Sequence, residues 1–210
     1  MLPWLRCRTY SVVRLMDTIC IIPARGGSTR IPGKNIKEFH GKPIIWYSFE
    51  RAIDSGLFSR IIVSTDSDLV THVAEKYGIE VWRRDPAFGK DQVGTQAVVA
   101  ECLKGIGASP YDVVCCLYAT APLLDIRDLM AGHAVLTSWA RDYVDYVFSV
   151  GYPPLQDVGQ FYWGMASSFM NDLPLVSGRT RMVHIQENRV CDINTMEDWE
   201  RALVMYEALK

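Results

Sequence analysis

Apolar and polar positions alternate in blocks along this chain, and the blocks repeat in a regular order. Ile19–Ile22 is an unbroken apolar run, the pattern of a strand buried on both faces. Pro43–Asp54 sets Ile44, Ile45, Tyr47, Ser48 and Ala52 near one face of a helix. Arg60–Ser64 predicts a second strand that ends at Thr65-Asp66, and Asp68–Tyr77 a helix closed by Gly78. A short strand at Glu80–Trp82, a helix at Thr95–Leu103 and a near-continuous apolar strand at Val113–Tyr118 follow. A helix at Ile126–Trp139 and a strand at Tyr146–Val150 complete the alternation. This order implies an α/β fold with a doubly wound, mostly parallel sheet between two helical layers. After Val150 the pattern loosens. Gly159–Gly164 is a compact aromatic motif, and Val190–Thr195 reads as a last short strand. Thr195 then caps a final helix with Asp198 as its capping-box partner, and Trp199, Leu203, Tyr206 and Leu209 form the apolar stripe.

No repeat, linker or low-complexity stretch divides residues 16–210, which read as one domain. Residues 1–15 stand apart, with Arg6, Arg8 and Arg14 and no acid. They read as a disordered extension, a transit peptide, or a remnant of a misassigned start or of cloning, since Met16 sits just before the first strand. No apolar run approaches the ~20 residues of a membrane span. The net charge of −2 gives nucleic acid no general hold, and the cations are concentrated locally instead, which suits a small anionic ligand. Six cysteines without CxxC spacing read as reduced thiols of a cytoplasmic protein. The four histidines show no ligand-like spacing.

Ligands of such sheets lie beyond the carboxyl ends of the strands. Three polar clusters follow strand ends here, Pro23–Asn35, Thr65–Asp68 and Ala119–Pro122, and should converge on one crevice. The first is the most informative. Arg25, Arg30 and Lys34 neutralise phosphates, Gly26 and Gly27 allow close backbone approach, Ser28 donates a hydroxyl and Asn35 fixes a sugar hydroxyl. Its spacing is neither a Walker loop nor a dinucleotide fingerprint; the alternative is a solvated basic turn. Asp192 and Asn194 lie two residues apart in an extended segment and face one way, so they could share one hard cation such as Mg2+; the alternative is a plain turn and helix cap. Arg83-Arg84-Asp85-Pro86 with Asp91 and Thr95, and Thr120, fall at the same sheet edge or serve as surface charge and loop. Gln160 is an amide within an aromatic cluster and needs partners if buried.

Together these motifs resemble the acylneuraminate (nonulosonate) cytidylyltransferase family, nearest its pseudaminic acid branch. The carriers are Pro-Ala-Arg-Gly-Gly-Ser-x-Arg-Ile-Pro-x-Lys-Asn at 23–35, Val-Ser-Thr-Asp at 63–66, Tyr-Ala-Thr-Ala-Pro at 118–122 and Gly-Gln-Phe-Tyr-Trp at 159–163. The resemblance implies a Rossmann-like nucleotidyltransferase fold and a Mg2+-dependent reaction of CTP with a nine-carbon 2-keto sugar acid, giving CMP-sugar and pyrophosphate. By that likeness Arg25, Ser28 and Lys34 hold the triphosphate, Asn35, Arg84 and Thr120 surround cytosine and ribose, Asp192 binds the metal, and Gln160 and Tyr162 border the sugar. Arg25, Lys34 and Asp192 then carry the chemistry, and the protein is a homodimer in a surface-glycan pathway. No general base is evident: water, metal-bound hydroxide and an aspartate such as Asp192 stay open.

Three departures matter. Thr29 stands where the family has lysine, and Asn194 where it has a second aspartate. A long segment that in the family carries a sugar-binding arginine and part of the dimer interface is missing between Pro154 and Leu155. Arg179, Arg181 and Arg189 are the candidates to replace that arginine. The competing expectations are a 3-deoxy-octulosonate-type nucleotidyltransferase and a catalytically impaired CTP-binding paralogue.

Overall fold

The structure is a computed structural model that describes residues 16–89, 92–138, 143–151 and 155–210. The extension at 1–15, Asp91 and the end of the expected helix at Trp139 lie outside the described residues. In chain order the elements are β1 (Thr18–Pro23), β2 (Glu38–Phe39), β3 (Lys42–Pro43), α1 (Ile44–Asp54), β4 (Arg60–Thr65), α2 (Asp68–Lys76) and β5 (Glu80–Arg83). There follow α3 (Thr95–Gly105), β6 (Val113–Leu117), α4 (Ile126–Thr137), β7 (Tyr146–Gly151), β8 (Gln156–Met165), α5 (Ala166–Met170), β9 (Thr180–His184) and α6 (Met196–Ala208).

A seven-stranded sheet in the order β5-β4-β1-β6-β8-β7-β9 forms the centre. Strands β5, β4, β1 and β6 pair in parallel, as do β7 and β9; β8 runs antiparallel between β6 and β7. The period-2 alternation of each strand feeds two cores. Cys20, Ile22, Val63, Cys115, Leu117 and Trp163 meet α1, α2 and α4 on one face, while Ile19, Ile21, Ile62, Val114 and Cys116 meet α3 and α5 on the other. The five described cysteines are unbridged and buried, and burial raises the thiol pKa of Cys115 and Cys116 well above its ordinary value.

One expectation is corrected. Val190–Thr195 is not a strand; the last strand is β9, beside β7. Its polar backbone groups meet side chains instead of a neighbouring strand, the Ile193 carbonyl taking Lys34 Nζ and the Asn194 N–H donating to Asp198. The aromatic motif at 159–164 belongs to β8, a ten-residue strand. Its alternation is obscured because Gly159 takes φ 58 and the register against β7 shifts between Phe148 and Val150. Gly151 of β7 lies opposite Gln156 of β8, so the strands before and after residues 152–154 are paired neighbours. The capping box of Thr195 and Asp198 is formed as expected.

Gly132 of α4 shows how closely the helical layer sits on the sheet. A Cβ there would fall 2.6 Å from Cδ1 of Trp163 and 3.0 Å from the Phe161 ring. Trp163 cannot yield easily, being fully buried and stacked on Phe58 with ring centroids 5.4 Å apart. In an open helix Gly→Ala stabilises by up to ~1 kcal/mol. Here Gly132→Ala should instead destabilise by about 1–3 kcal/mol through overpacking, read by urea denaturation; a gain in stability would contradict this packing.

Candidate active site

The loop leaving β1 is fixed by contacts to two other segments and by one bond within itself. The Gly26 N–H donates to Asp66 Oδ1 at the end of β4, at 2.9 Å. A Cβ on Gly26 would lie 2.8 Å from Cβ of Ser67, so this glycine answers to a protein neighbour, while Gly27 has open space around it. Gly33, at φ 62, turns the chain into a 3-10 turn at Lys34–Ile36. From that turn Asn35 Nδ2 donates back to the Arg25 carbonyl at 2.9 Å, closing the loop on itself. Lys34 Nζ donates to the Ile193 carbonyl at 2.6 Å, joining the loop to the segment before α6.

Beneath the loop lies a cavity of about 320 Å³ at the carboxyl ends of β1, β4, β5 and β6. Arg25, Ser28, Thr29, Arg30, Lys34 and Asn35 form one wall; Arg84, Thr95, Tyr118, Thr120 and Asn194 close the others. Arg84 is buried and pinned, donating to the Ser64 carbonyl at 2.6 Å and to the Phe88 carbonyl at 3.3 Å. Its Nε has no protein partner. The field is cationic. Burial pushes the Lys34 ammonium down from its ordinary value, Arg30 and Arg25 push the same way, and Asp192 opposes them. Burial lowers Arg84 likewise, against Asp66. A dianionic or trianionic ligand would relieve these repulsions, which a solvated basic turn would not have accumulated.

The structure thus brings together Arg25, Ser28, Arg30, Lys34 and Asn35 of the loop with Arg84, Thr120 and Asn194, from four separate readings of the sequence. Asp192 is exposed beside them, its Oδ2 accepting from Asn194 Nδ2 at 2.6 Å. Gln160 and Tyr162 stand one layer back. Gln160 is buried with Nε2 donating to the Arg189 carbonyl, and the Tyr162 ring packs on Tyr118 with centroids 5.6 Å apart. Arg179, Arg181 and Arg189 do not reach the cavity. Arg179 pairs with Asp145 at the opposite end of the sheet, Arg181 lies beside Val147 in β9, and Arg189 is buried against Asp128. Phe88, Val93 and Val98 line the cavity without any signal in the sequence, because an apolar residue in a turn or on a helix looks the same whether it faces a core or a ligand.

Among the described residues no three His, Cys, Asp or Glu side chains converge as a metal cluster. One exposed carboxylate and one amide oxygen at a cationic cavity still suit Mg2+, which takes few protein ligands and completes its shell with phosphate and water.

A family profile described as cytidylyltransferase matches residues 19–148. The chain belongs to the cytidylyltransferase family. This cytidylyltransferase is 32% identical, over 91% of its length and 97% of the relative's, to a pseudaminic acid cytidylyltransferase of Campylobacter jejuni. That alignment runs to 225 positions against 210 residues here, so the relative carries residues with no counterpart in this chain. An N-acylneuraminate cytidylyltransferase of Streptococcus agalactiae is 38% identical over 51% of this chain and 26% of its own. In fold, the cytidylyltransferase matches a CMP:2-keto-3-deoxy-manno-octonic acid synthetase complexed with CTP with a TM-score of 0.74, at 17% identity, over 92% of this chain and all of that one.

The two loop glycines should separate experimentally. Gly26→Ala must displace Ser67 and with it the Asp66 anchor; CTP affinity by calorimetry should fall about tenfold or more. Gly27→Ala, with nothing near its Cβ, should fold normally, with a melting temperature unchanged from wild type. Equal effects on folding would contradict the loop geometry.

Proposed function

We propose that this enzyme transfers the cytidylyl group of CTP to a nonulosonic acid, of the pseudaminic type, releasing pyrophosphate. The observation that carries this is the relationship to pseudaminic acid cytidylyltransferase along almost the whole of both chains. The likeness to the octulosonate synthetase, at 17% identity, speaks for the fold and not for the acceptor.

The residues take their parts from charge and position. Arg25, Arg30 and Lys34 neutralise the triphosphate, and Ser28 donates a hydrogen bond to it. Arg84, held rigidly by two carbonyls, and Thr120 border the nucleoside end, with Asn35 keeping the loop closed. The anomeric hydroxyl of the acceptor attacks the α-phosphorus in line and the bond to the β-phosphate breaks. Such chemistry asks the protein for placement and charge neutralisation more than covalency. Mg2+, held through Asp192 and the Asn194 amide oxygen, would supply further neutralisation of phosphate charge.

Pyrophosphate release with CTP, Mg2+ and a panel of acid sugars tests the reading. Turnover with pseudaminic acid is expected. CTP binding without release for any acid sugar would overturn it. In the same assay Asn194→Asp, which restores a second carboxylate, should lower the Mg2+ concentration at half-maximal rate several-fold; an unchanged Mg2+ dependence would remove residues 192–194 from the metal's surroundings.

A further inference from the structure

The carboxyl end of β4 stands between two walls of the cavity. The Ser64 carbonyl accepts the Ala24 N–H at 2.9 Å and Nη2 of Arg84 at 2.6 Å, and the Thr65 carbonyl accepts the Arg84 N–H at 3.0 Å. The β1 loop and the Arg84 segment are both hung on this strand end. The next residue, half-buried Asp66, meets both with its side chain. Its Oδ1 accepts the Gly26 N–H of the loop at 2.9 Å. Its Oδ2 lies against Gly89, the end of a 3-10 turn at Pro86–Gly89; a Cβ on Gly89 would collide with Oδ2 and come within 3.2 Å of Cγ. Phe88 of the same turn lines the cavity, and its carbonyl accepts from Nη1 of Arg84 at 3.3 Å.

These contacts divide the work of one carboxylate. The Gly26 N–H is given to Asp66, so it fixes where the loop sits and is not free for a phosphate. The φ of Gly89 is not positive, so its backbone does not call for glycine; the carboxylate beside it does. A methyl there could be accommodated only if the Asp66 carboxylate swung aside, and that swing would release Gly26. The charge of Asp66 also faces Arg84 and opposes the depression that burial imposes on the guanidinium.

We propose that Asp66 is a positioning residue for CTP, a strut that sets the phosphate wall and the nucleoside wall at the separation one ligand can span, with Gly89 as its seat. This rests on the CTP-dependent reaction proposed above. The triphosphate and the nucleoside are parts of one molecule, so the β1 loop and Arg84 must keep a fixed spacing to engage both. A misplacement of about 1 Å can cost on the order of a hundredfold in such an arrangement. Asp66 touches neither end of the ligand and acts through the Gly26 N–H on one side and the Pro86–Gly89 turn on the other.

The test is a cycle of Asp66→Ala, Gly89→Ala and the double variant in the full chain, with melting curves for folding and calorimetry for CTP. Asp66→Ala should weaken CTP tenfold or more. Gly89→Ala should do the same, because its methyl drives the carboxylate off Gly26. In the Asp66→Ala background that methyl meets no oxygen, so adding Gly89→Ala should cost less than a further twofold. Asp66→Asn keeps an acceptor for Gly26 and should stay within threefold of wild type. If Asp66→Ala does not fold, Gly89→Ala, a change at a turn, carries the test alone. Either alanine variant binding CTP within twofold of wild type, or the two changes adding in full, overturns the strut while leaving the reaction standing. Wild type that neither binds CTP nor releases pyrophosphate overturns the reaction and the strut together.

Discussion

The hydrogen bond from Lys34 Nζ to the Ile193 carbonyl joins parts of the chain 159 residues apart, and the site exists because it does. On one side is the loop from β1; on the other is the pair Asp192 and Asn194. A charge-assisted bond of this kind contributes about 1.5–3 kcal/mol, too little to assemble the two segments unaided. It is braced from behind. Ile31 of the loop and Ile193 pack in one cluster with Phe39, Tyr47 and Trp199. The Asn194 and Thr195 N–H groups both donate to Asp198 in the first turn of α6. The final helix is therefore a clamp that holds the last segment against the first loop.

Electrostatics distinguishes this cavity from a second one of about 440 Å³, lined by Arg51, Asp125, Arg127, Arg189 and the end of α6. There each arginine has its acid: Arg51 with Glu50, Arg127 with Asp125, Arg189 with Asp128. Hydrogen bonding from Arg127 holds Asp125 down to about 2, so that pairing persists at any ordinary pH. In the first cavity burial depresses Lys34, Asp192 opposes it, and Arg30 and Arg25 add to the depression. Cations that repel one another in a partly buried wall mark where an anion belongs, and cations matched by acids mark structure.

The alternation of apolar strands and amphipathic helices made the parallel half of the sheet legible, because short unbroken apolar runs stand apart from the longer helical stripes between them. The loop's role was legible for the same reason: a run of cations straight after a buried strand has few structural uses. What stayed hidden depended on long-range partners. Val190–Thr195 looks like a strand until the Lys34 ammonium is seen to take the Ile193 carbonyl. Gly26 looks like a ligand-approach glycine until Ser67 is found against it. Asp66 closes the Val-Ser-Thr-Asp motif, yet its partner, the Gly26 N–H, is brought to it only by the fold; Asp157 carries no motif and meets the Tyr162 phenol in the same way. The arginines at 179, 181 and 189 could be counted in the sequence, but only the sheet direction and the ion pairs exclude them from the cavity.

The most direct measurement is a crystal structure with CTP bound. The account predicts the triphosphate beneath the β1 loop, against Arg25, Lys34 and Asn194, with the base toward Arg84 and Thr120. CTP seated in the second cavity, among Arg51 and Arg127, or a Lys34 side chain turned away from both Ile193 and the phosphates, would contradict it.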